Sequence, residues 1–177
     1  HFGFSGPIIL SLSKAVAESF ATGNTDLDLI IDVKPALDVQ KLDLRIQRDF
    51  ANYLRKQLVN GMKDLLPGRL ISVVLDAAFL NPDKPINQVS KEERSRLVYN
   101  LKNLSFPITG TRPLAEAIVT AGGVSTKEIN PKTFESKIVK KLYFAGEVID
   151  VDGYTGGYNL QAAFSSGYAA GYAAAQD

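Results

Sequence analysis

The feature that most constrains this chain is a glycine- and tyrosine-rich turn, Asp152–Asn159. The apolar run Leu142–Ala145 before it predicts a short buried strand, and Leu160 to about Ala175 behind it is helical by propensity. A strand, a Gly-Glu pair, a glycine-rich turn and a helix, in that order, are typical of ligand sites at the carboxyl edge of an α/β sheet. We favour this interpretation over the alternative, a flexible loop before an alanine-rich helix.

The chemistry of the predicted site comes mainly from the backbone. Glu147 follows Gly146 at the predicted strand end, where its carboxylate can accept hydrogen bonds from ribose- or ribitol-like hydroxyls. The glycines allow the backbone to approach a ligand closely. Gly157-Tyr158-Asn159 leads into the N-terminus of the helix, where free N–H groups and the helix dipole favour a negative group such as a pyrophosphate.

Residues from about 38 to 106 follow a helical pattern and predict a small three-helix region. The second helix follows Pro67-Gly68, and the third begins at a capping box formed by Ser90 and Glu93. The first helix is predicted to end at Asn60-Gly61. The expected apolar faces are Ile46, Phe50, Tyr53, Leu54 and Leu58 in the first, Leu66, Leu70, Val73, Val74 and Ala77 in the second, and Leu97, Leu101 and Leu104 in the third.

Extended segments are predicted on both sides of this region. Leu27–Val33 alternates apolar and polar residues and predicts a strand, while Ser5–Phe20 predicts a helix that starts at a proline. Ile108–Thr111 and Ala115–Val119 are further expected extended pieces. The glycine pair after them, Gly122-Gly123, more often marks a bend than a site.

The composition excludes several classes of chemistry. The chain has no cysteine, which excludes disulfides, thiolate nucleophiles and a redox-active dithiol. Its single histidine is His1, to which we assign no catalytic role, and no metal-binding motif is present. The net charge of +1 makes nucleic acid an unexpected partner, and no apolar run is long enough to span a membrane. Such a chain is typical of a binding protein, or of an enzyme whose cofactor carries the reactive atom.

Five segments together resemble the bacterial HI0933-like flavoprotein family, also called BaiN/aminoacetone-oxidase-like. That family consists of NAD(P)/FAD-dependent oxidoreductases. The resemblance runs in order over nearly the whole chain. The segments are His1–Pro7, Thr120–Ser125, Asn130–Lys137, Leu142–Val148 and Asp150–Gln161.

The resemblance implies an α+β or α/β architecture. Residues 1–118 would be the later part of an insertion domain, with strands and the three-helix region. Residues 119–177 would be the C-terminal strand-turn-helix part of a Rossmann-like FAD domain. The family's amino-terminal unit with its GxGxxG motif is not among these residues, so we expect this chain to be a C-terminal fragment that is inactive alone.

The resemblance also implies the site residues. Gly146 and Glu147 would contact the ribityl and pyrophosphate region of FAD, and the stretch Gly156–Leu160 would lie against the isoalloxazine. The expected FAD-binding residues are Gly146, Glu147, Gly153, Gly156, Gly157, Tyr158, Asn159 and Leu160.

The expected function is that of a cytoplasmic FAD-dependent oxidoreductase, with NAD(P)H as a possible co-substrate and a small-molecule substrate that the sequence does not name. The expected partner is the amino-terminal half of the same protein, and neither a membrane nor a nucleic acid is expected. The alternative is a non-catalytic binding or scaffolding module built on the helical region.

Overall fold

The computed structural model describes residues 3–176, so His1 and Phe2 of the opening segment lie outside the described residues. The chain forms two compact units, described separately below. The helical unit is Asp26–Ile108, and the split unit combines His1–Thr25 with Thr109–Asp177. The described residues contain six α-helices and one two-stranded sheet, which confirms the α+β character. The elements are α1 (Pro7–Ala21), β1 (Asp28–Ile31), α2 (Val39–Asn52), α3 (Leu58–Gly61), α4 (Gly68–Ala77), α5 (Lys91–Lys102), β2 (Leu104–Pro107) and α6 (Tyr158–Ala174).

The helical unit has a continuous apolar core because α2, α4 and α5 each turn one apolar side inward. An ion pair between Arg94 Nε and Asp43 Oδ1, at 2.6 Å, ties α5 to α2. Each fully buried aliphatic side chain stabilises the fold by roughly 1.5–3 kcal/mol relative to exposure. The largest fully buried side chains are Leu42, Ile46, Leu58, Met62, Ile71, Val74, Leu75, Leu97, Leu101 and Leu104.

The two strands of the sheet come from the beginning and the end of the helical unit. Strand β1 runs antiparallel to β2, with Leu29 opposite Phe106. The predicted third helix continued through Leu104, but α5 ends at Lys102, and Leu104 is the first, buried residue of β2. The helix stops because Asn103 adopts a non-helical conformation, with φ −137° and ψ 52°.

The first predicted helix is wrong in its length. Helix α2 ends at Asn52 and α3 starts afresh at Leu58, whose N–H donates to the carbonyl of Lys84 at 2.9 Å. Leu54, predicted on the apolar face, is 51% exposed in the turn between them. Periodicity alone does not detect this break, because the apolar residues keep a helical spacing in the sequence across the turn.

The predicted apolar face of the second helix is confirmed in most of its residues. Leu66 and Val74 are buried and Leu70 and Ala77 pack against the core, whereas Val73 is exposed. Helix α4 also buries Ile71 and Leu75, which the pattern did not place on this face. The packing of α4 against α5 and α3 decides which side is covered. The apolar pattern thus predicts the general direction of the buried face but not its full width.

The split unit consists of α1, α6 and long connecting segments. Of its described residues, only Ile129, Ile149, Ser166 and Ala170 are buried. Ala115–Val119, predicted as extended, includes the end of a short 3₁₀ helix, Leu114–Glu116. No helix among the described residues is long and apolar enough to cross a membrane.

The predicted buried strand Leu142–Ala145 is wrong as a strand. It forms a single antiparallel bridge, between Tyr143 and Glu135, and Leu142 is 42% exposed. A single parallel bridge joins Val124 to Ile149. Among the described residues, no other strand pairs along the whole of Leu142–Ala145, so only isolated bridges form. The Rossmann-like assignment and the predicted boundary at residues 118 and 119 stay predictions.

Candidate functional site

The glycine-rich turn before α6 is held closed by one side chain. The N–H of Gly153 donates to Oδ1 of Asn159 at 2.6 Å, and Nδ2 of Asn159 donates to the Gly153 carbonyl at 2.9 Å. A carboxamide is suited to this because it offers one acceptor and two donors. The turn therefore has a defined shape and is not merely a flexible loop.

The N-terminus of α6 carries backbone donors with no side-chain cap. Gly157 is the N-cap, with φ 88°, and the first intrahelical bond runs from the N–H of Gln161 to its carbonyl at 3.0 Å. The N–H groups of Tyr158, Asn159 and Leu160 precede that bond and are the donors that a helix leaves for an outside acceptor. No acidic residue lies in the first turn, so the positive end of the dipole is not neutralised locally.

Position 157 is open on the side where a side chain would stand. A Cβ placed on Gly157 would find no atom of the described chain within 4 Å. A positive φ strains any residue with a Cβ, so glycine is required here by conformation rather than by crowding. The backbone at the helix start is thus exposed for a close approach by a ligand.

The Gly146-Glu147 pair is fixed by two residues outside the predicted site, Ser166 and Thr120. The N–H of Gly146 donates to the buried Ser166 Oγ at 2.9 Å, and that hydroxyl donates to the Ala163 carbonyl at 3.0 Å. Oε1 of Glu147 accepts from the N–H and the hydroxyl of Thr120, at 3.0 and 3.3 Å. The sequence offers no signal for Ser166, because it stands beside the exposed Ser165 and nothing local tells the two apart.

The second glycine pair packs against the same region. A Cβ on Gly123 would lie 2.4 Å from the Val148 carbonyl oxygen, a distance that excludes any side chain. The backbone of Val124 bonds on both sides, donating to Val148 at 2.8 Å and accepting from Asp150 at 3.0 Å. The pair is therefore more than a bend, since it places the 148–150 backbone beside the site.

Helix α1 contacts the turn through polar side chains. Nζ of Lys14 lies 2.8 Å from Oδ2 and 2.9 Å from Oδ1 of Asp152. The hydroxyls of Ser11 and Thr155 are 3.2 Å apart, and Thr155 also donates to the Pro7 carbonyl at 3.3 Å. The hydrogen bond with Asp152 raises the pKa of Lys14 above its usual value. Lys14 and Ser11 lie far from the turn in sequence, so no local signal could reveal this contact.

A cavity of about 260 Å³ lies beside these elements. It is smaller than the roughly 300–1,000 Å³ of complete small-molecule sites. Four of the predicted residues, Gly146, Glu147, Asn159 and Leu160, line it, together with apolar residues such as Ile118, Val119 and Val151. The other four, Gly153, Gly156, Gly157 and Tyr158, belong to the adjoining turn and helix start.

No metal-binding cluster is present at the site: within the described residues 3–176, no three His, Asp or Glu side chains come together in a way that could hold a metal ion. A helix N-terminus behind a glycine turn, beside a mainly apolar cavity, suits a ligand that carries both a negative group and an apolar part. Where such a ligand is a cofactor, it supplies the reactive atom and the protein supplies position and electrostatics.

Comparison with known proteins identifies the family. Residues 1–119 match the family described as HI0933-like protein barrel and H2TH domain. The chain belongs to the HI0933-like family of FAD-binding flavoproteins, which confirms the family that the sequence motifs indicated.

Three curated relatives align with nearly the whole chain. The ribosomal RNA dihydrouridine synthases of Haemophilus influenzae and Escherichia coli are 36% and 33% identical to it, each over 96% of the chain and over 39% and 40% of their own lengths. The 3-dehydro-bile acid delta(4,6)-reductase of Clostridium scindens is 30% identical over 99% of the chain and 42% of its own length. The chain thus spans about two fifths of the length of these relatives.

Proposed function

We propose that the intact protein is an FAD-dependent oxidoreductase that adds hydrogen across a carbon–carbon double bond, with NADH or NADPH as electron donor. The observation that carries the proposal is the uncapped N-terminus of α6 behind the turn that Asn159 holds closed. The relatives support the reaction class, because dihydrouridine is uridine with two added hydrogens and a delta(4,6)-reductase also acts on double bonds.

The residues present fit one part of FAD. Three consecutive backbone donors, at Tyr158, Asn159 and Leu160, face outward at the positive end of a 17-residue helix. The open space at Gly157 leaves room for a group to approach these donors. The small apolar cavity next to them suits part of a planar ring system rather than a whole dinucleotide.

In this proposal the chain's residues bind and orient, while bound FAD supplies hydride transfer. The N–H groups at the start of α6 would stabilise negative charge on bound FAD. Oε2 of Glu147 would accept from a cofactor hydroxyl, while Oε1 stays bonded to Thr120. Ser166 keeps Gly146 in place.

The remaining part of the FAD site is proposed to come from the rest of the protein. Large apolar side chains form an exposed row along one side of α6, at Leu160, Phe164, Tyr168 and Tyr172. Exposed apolar surface of this extent is characteristic of a face that packs against another part of a protein. The chain's length, about two fifths of its relatives, agrees with this.

RNA is the substrate class that we propose, in preference to a steroid. The two RNA-modifying relatives are 36% and 33% identical to the chain, against 30% for the bile acid reductase. The near-neutral total charge by itself argues against a nucleic acid partner. A total of +1, however, conceals a local excess of lysine between Ser125 and Phe144.

Flavin spectroscopy of the intact protein tests the proposal. The purified protein should be yellow, NADH or NADPH should bleach the flavin band without oxygen, and uridine-containing RNA should restore it with formation of dihydrouridine. If a 3-oxo-steroid with conjugated double bonds restored the flavin band and RNA did not, the substrate class would be a steroid and not RNA. A colourless protein that cannot be reconstituted with FAD would favour the non-catalytic alternative and refute the enzyme.

A further inference from the structure

The segment Ser125–Phe144, here called the lysine knuckle, concentrates the positive charge of the chain. It contains five lysines and two glutamates, a net charge of +3 in a chain whose total is +1. The rest of the chain therefore carries −2. The lysines are Lys127, Lys132, Lys137, Lys140 and Lys141.

Backbone hydrogen bonds give the lysine knuckle a fixed shape. The N–H of Asn130 donates to the Glu135 carbonyl at 2.8 Å, and that of Ser136 donates to the Leu142 carbonyl at 2.7 Å. Oγ of Ser136 accepts from the N–H groups of Ile138 and Val139, both at 3.1 Å. The lysines therefore project from an ordered backbone and not from a random loop.

Three lysine side chains of the lysine knuckle are available for an outside anion. Within the described residues, Lys127, Lys132 and Lys140 form no ion pair, and all three are exposed. Lys137 lies close to this surface, with its Nζ donating to the Lys127 carbonyl at 2.8 Å.

A second basic surface is a groove on α2 that is lined by Lys41, Arg45 and Arg48, but there the cations face carboxylates. Nε of Arg45 is 2.6 Å from Oδ2 of Asp49, and Nζ of Lys41 is 3.2 Å from Oδ2 of Asp38. Arg48 lies 3.9 Å from Asp49 as well. These carboxylates offset the charge that a polyanion would meet there, so the lysine knuckle is the stronger candidate.

We propose that the lysine knuckle binds the phosphate backbone of the RNA substrate. The inference rests on the proposed function, since it names the surface that an RNA substrate would use. Lysine is a compact point charge that contacts phosphate without reading bases. The lysine knuckle belongs to the same compact unit as the glycine turn and α6, so it can hold the strand while a separate site acts on the base.

The test measures binding of a fluorescein-labelled oligouridylate of about 20 nucleotides to the intact protein, between about 0.05 and 0.2 M salt. The double variant Lys132→Gln/Lys140→Gln removes two charges from the lysine knuckle. Each lost phosphate contact should make the slope of log K against log salt less negative by roughly 0.7, or roughly 1.4 for both. At 0.1 M salt this corresponds to about 10- to 30-fold weaker binding.

A matched double variant, Lys63→Gln/Lys91→Gln, removes two exposed lysines from the helical unit and should leave the slope nearly unchanged. Equal losses in both double variants would overturn the proposal, because the effect would then be one of total charge. Lysine-knuckle-dependent binding to phosphatidylglycerol vesicles without RNA binding would overturn it in favour of a membrane surface.

Flavin content separates the two hypotheses. A yellow protein that binds no RNA would contradict the lysine knuckle and leave the flavoenzyme standing. A colourless protein that binds RNA through Lys132 and Lys140 would contradict the flavoenzyme and support the RNA surface.

Discussion

Asn159 holds Gly153 by both of its backbone polar groups, with hydrogen bonds of 2.6 and 2.9 Å. The seven residues Gly153–Asn159 are closed into a loop by this one side chain. The backbone N–H of Asn159 itself lies among the free donors of α6. Asn159 therefore links the shape of the turn to the position of the helix N-terminus, where the proposed cofactor edge binds.

Replacing Asn159 with alanine should weaken FAD binding by the intact protein. The loss of two partly solvated hydrogen bonds costs about 1–2 kcal/mol, or about 5- to 30-fold in affinity. Titration of the apoprotein with FAD, followed by flavin fluorescence, measures the effect. Asn100→Ala provides the control, since its amide bonds only to the Arg96 carbonyl within α5. FAD affinity equal to that of the wild type would contradict the role given to Asn159.

Gly157→Ala should also weaken FAD binding, because its φ of 88° strains any residue with a Cβ. The expected cost is about 1–2 kcal/mol, even though a Cβ there meets no atom of the described chain within 4 Å. Gly68→Ala at the start of α4 has the same open surroundings without a positive φ, and it should be neutral or slightly stabilising. Paired thermal melts and FAD titrations measure both variants. Identical behaviour of the two would argue against conformational strain at Gly157.

Gly61→Ala should destabilise the helical unit through crowding. A Cβ at Gly61 would lie 2.2 Å from Cδ1 of the buried Ile86. Overpacking of this kind costs about 1–3 kcal/mol, which should be visible as a lower urea midpoint.

The second-site variant Ile86→Val removes that Cδ1 and tests the cause. Alone it should cost about 0.5–1.5 kcal/mol, but combined with Gly61→Ala it should cost less than the sum of the two single variants. Simple additivity would show that the two side chains do not collide.

The interactions of Glu93 should make the folded state less stable in acid than at neutral pH. Its carboxylate accepts hydrogen bonds from Lys84 at 2.7 and 2.8 Å and from the N–H of Ser90 at 2.8 Å. These bonds hold the pKa of Glu93 below its ordinary value of 4.5, with Lys84 the larger cause. Since the folded pKa lies below the unfolded one, the stabilisation is fully present above about pH 4.5 and is lost as pH falls through the folded pKa.

Glu93→Gln should therefore be less stable than the wild type at pH 7, with a gap that narrows in acid. Urea unfolding at neutral pH and at pH values below 4.5 measures this gap. Glu18→Gln, an exposed change of the same charge on α1, is the matched control. A gap of constant size across the pH range would contradict the ion-pair explanation.

Local signals predicted much of the helical structure. The capping box of Ser90 and Glu93 forms as expected, because both of its hydrogen bonds lie within one helical turn. Helix α6 follows from its small, helix-compatible residues. The sequence pattern does not predict the break between α2 and α3, because the break depends on distant backbone. There the N–H of Val59 donates to the Pro82 carbonyl, and the N–H of Leu58 donates to the Lys84 carbonyl.

The sequence by itself determined the family, the helical elements and the glycine turn, because these depend on short-range patterns and on motifs read in order. Tertiary structure alone decided the supports of the site. Three hydrogen-bonded pairs form these supports, and their members are 20, 27 and 138 positions apart in the sequence. The pairs are Ser166 with Gly146, Thr120 with Glu147, and Lys14 with Asp152. Partners so distant in sequence meet only after the chain has folded, and neither periodicity nor local composition records which of them will touch.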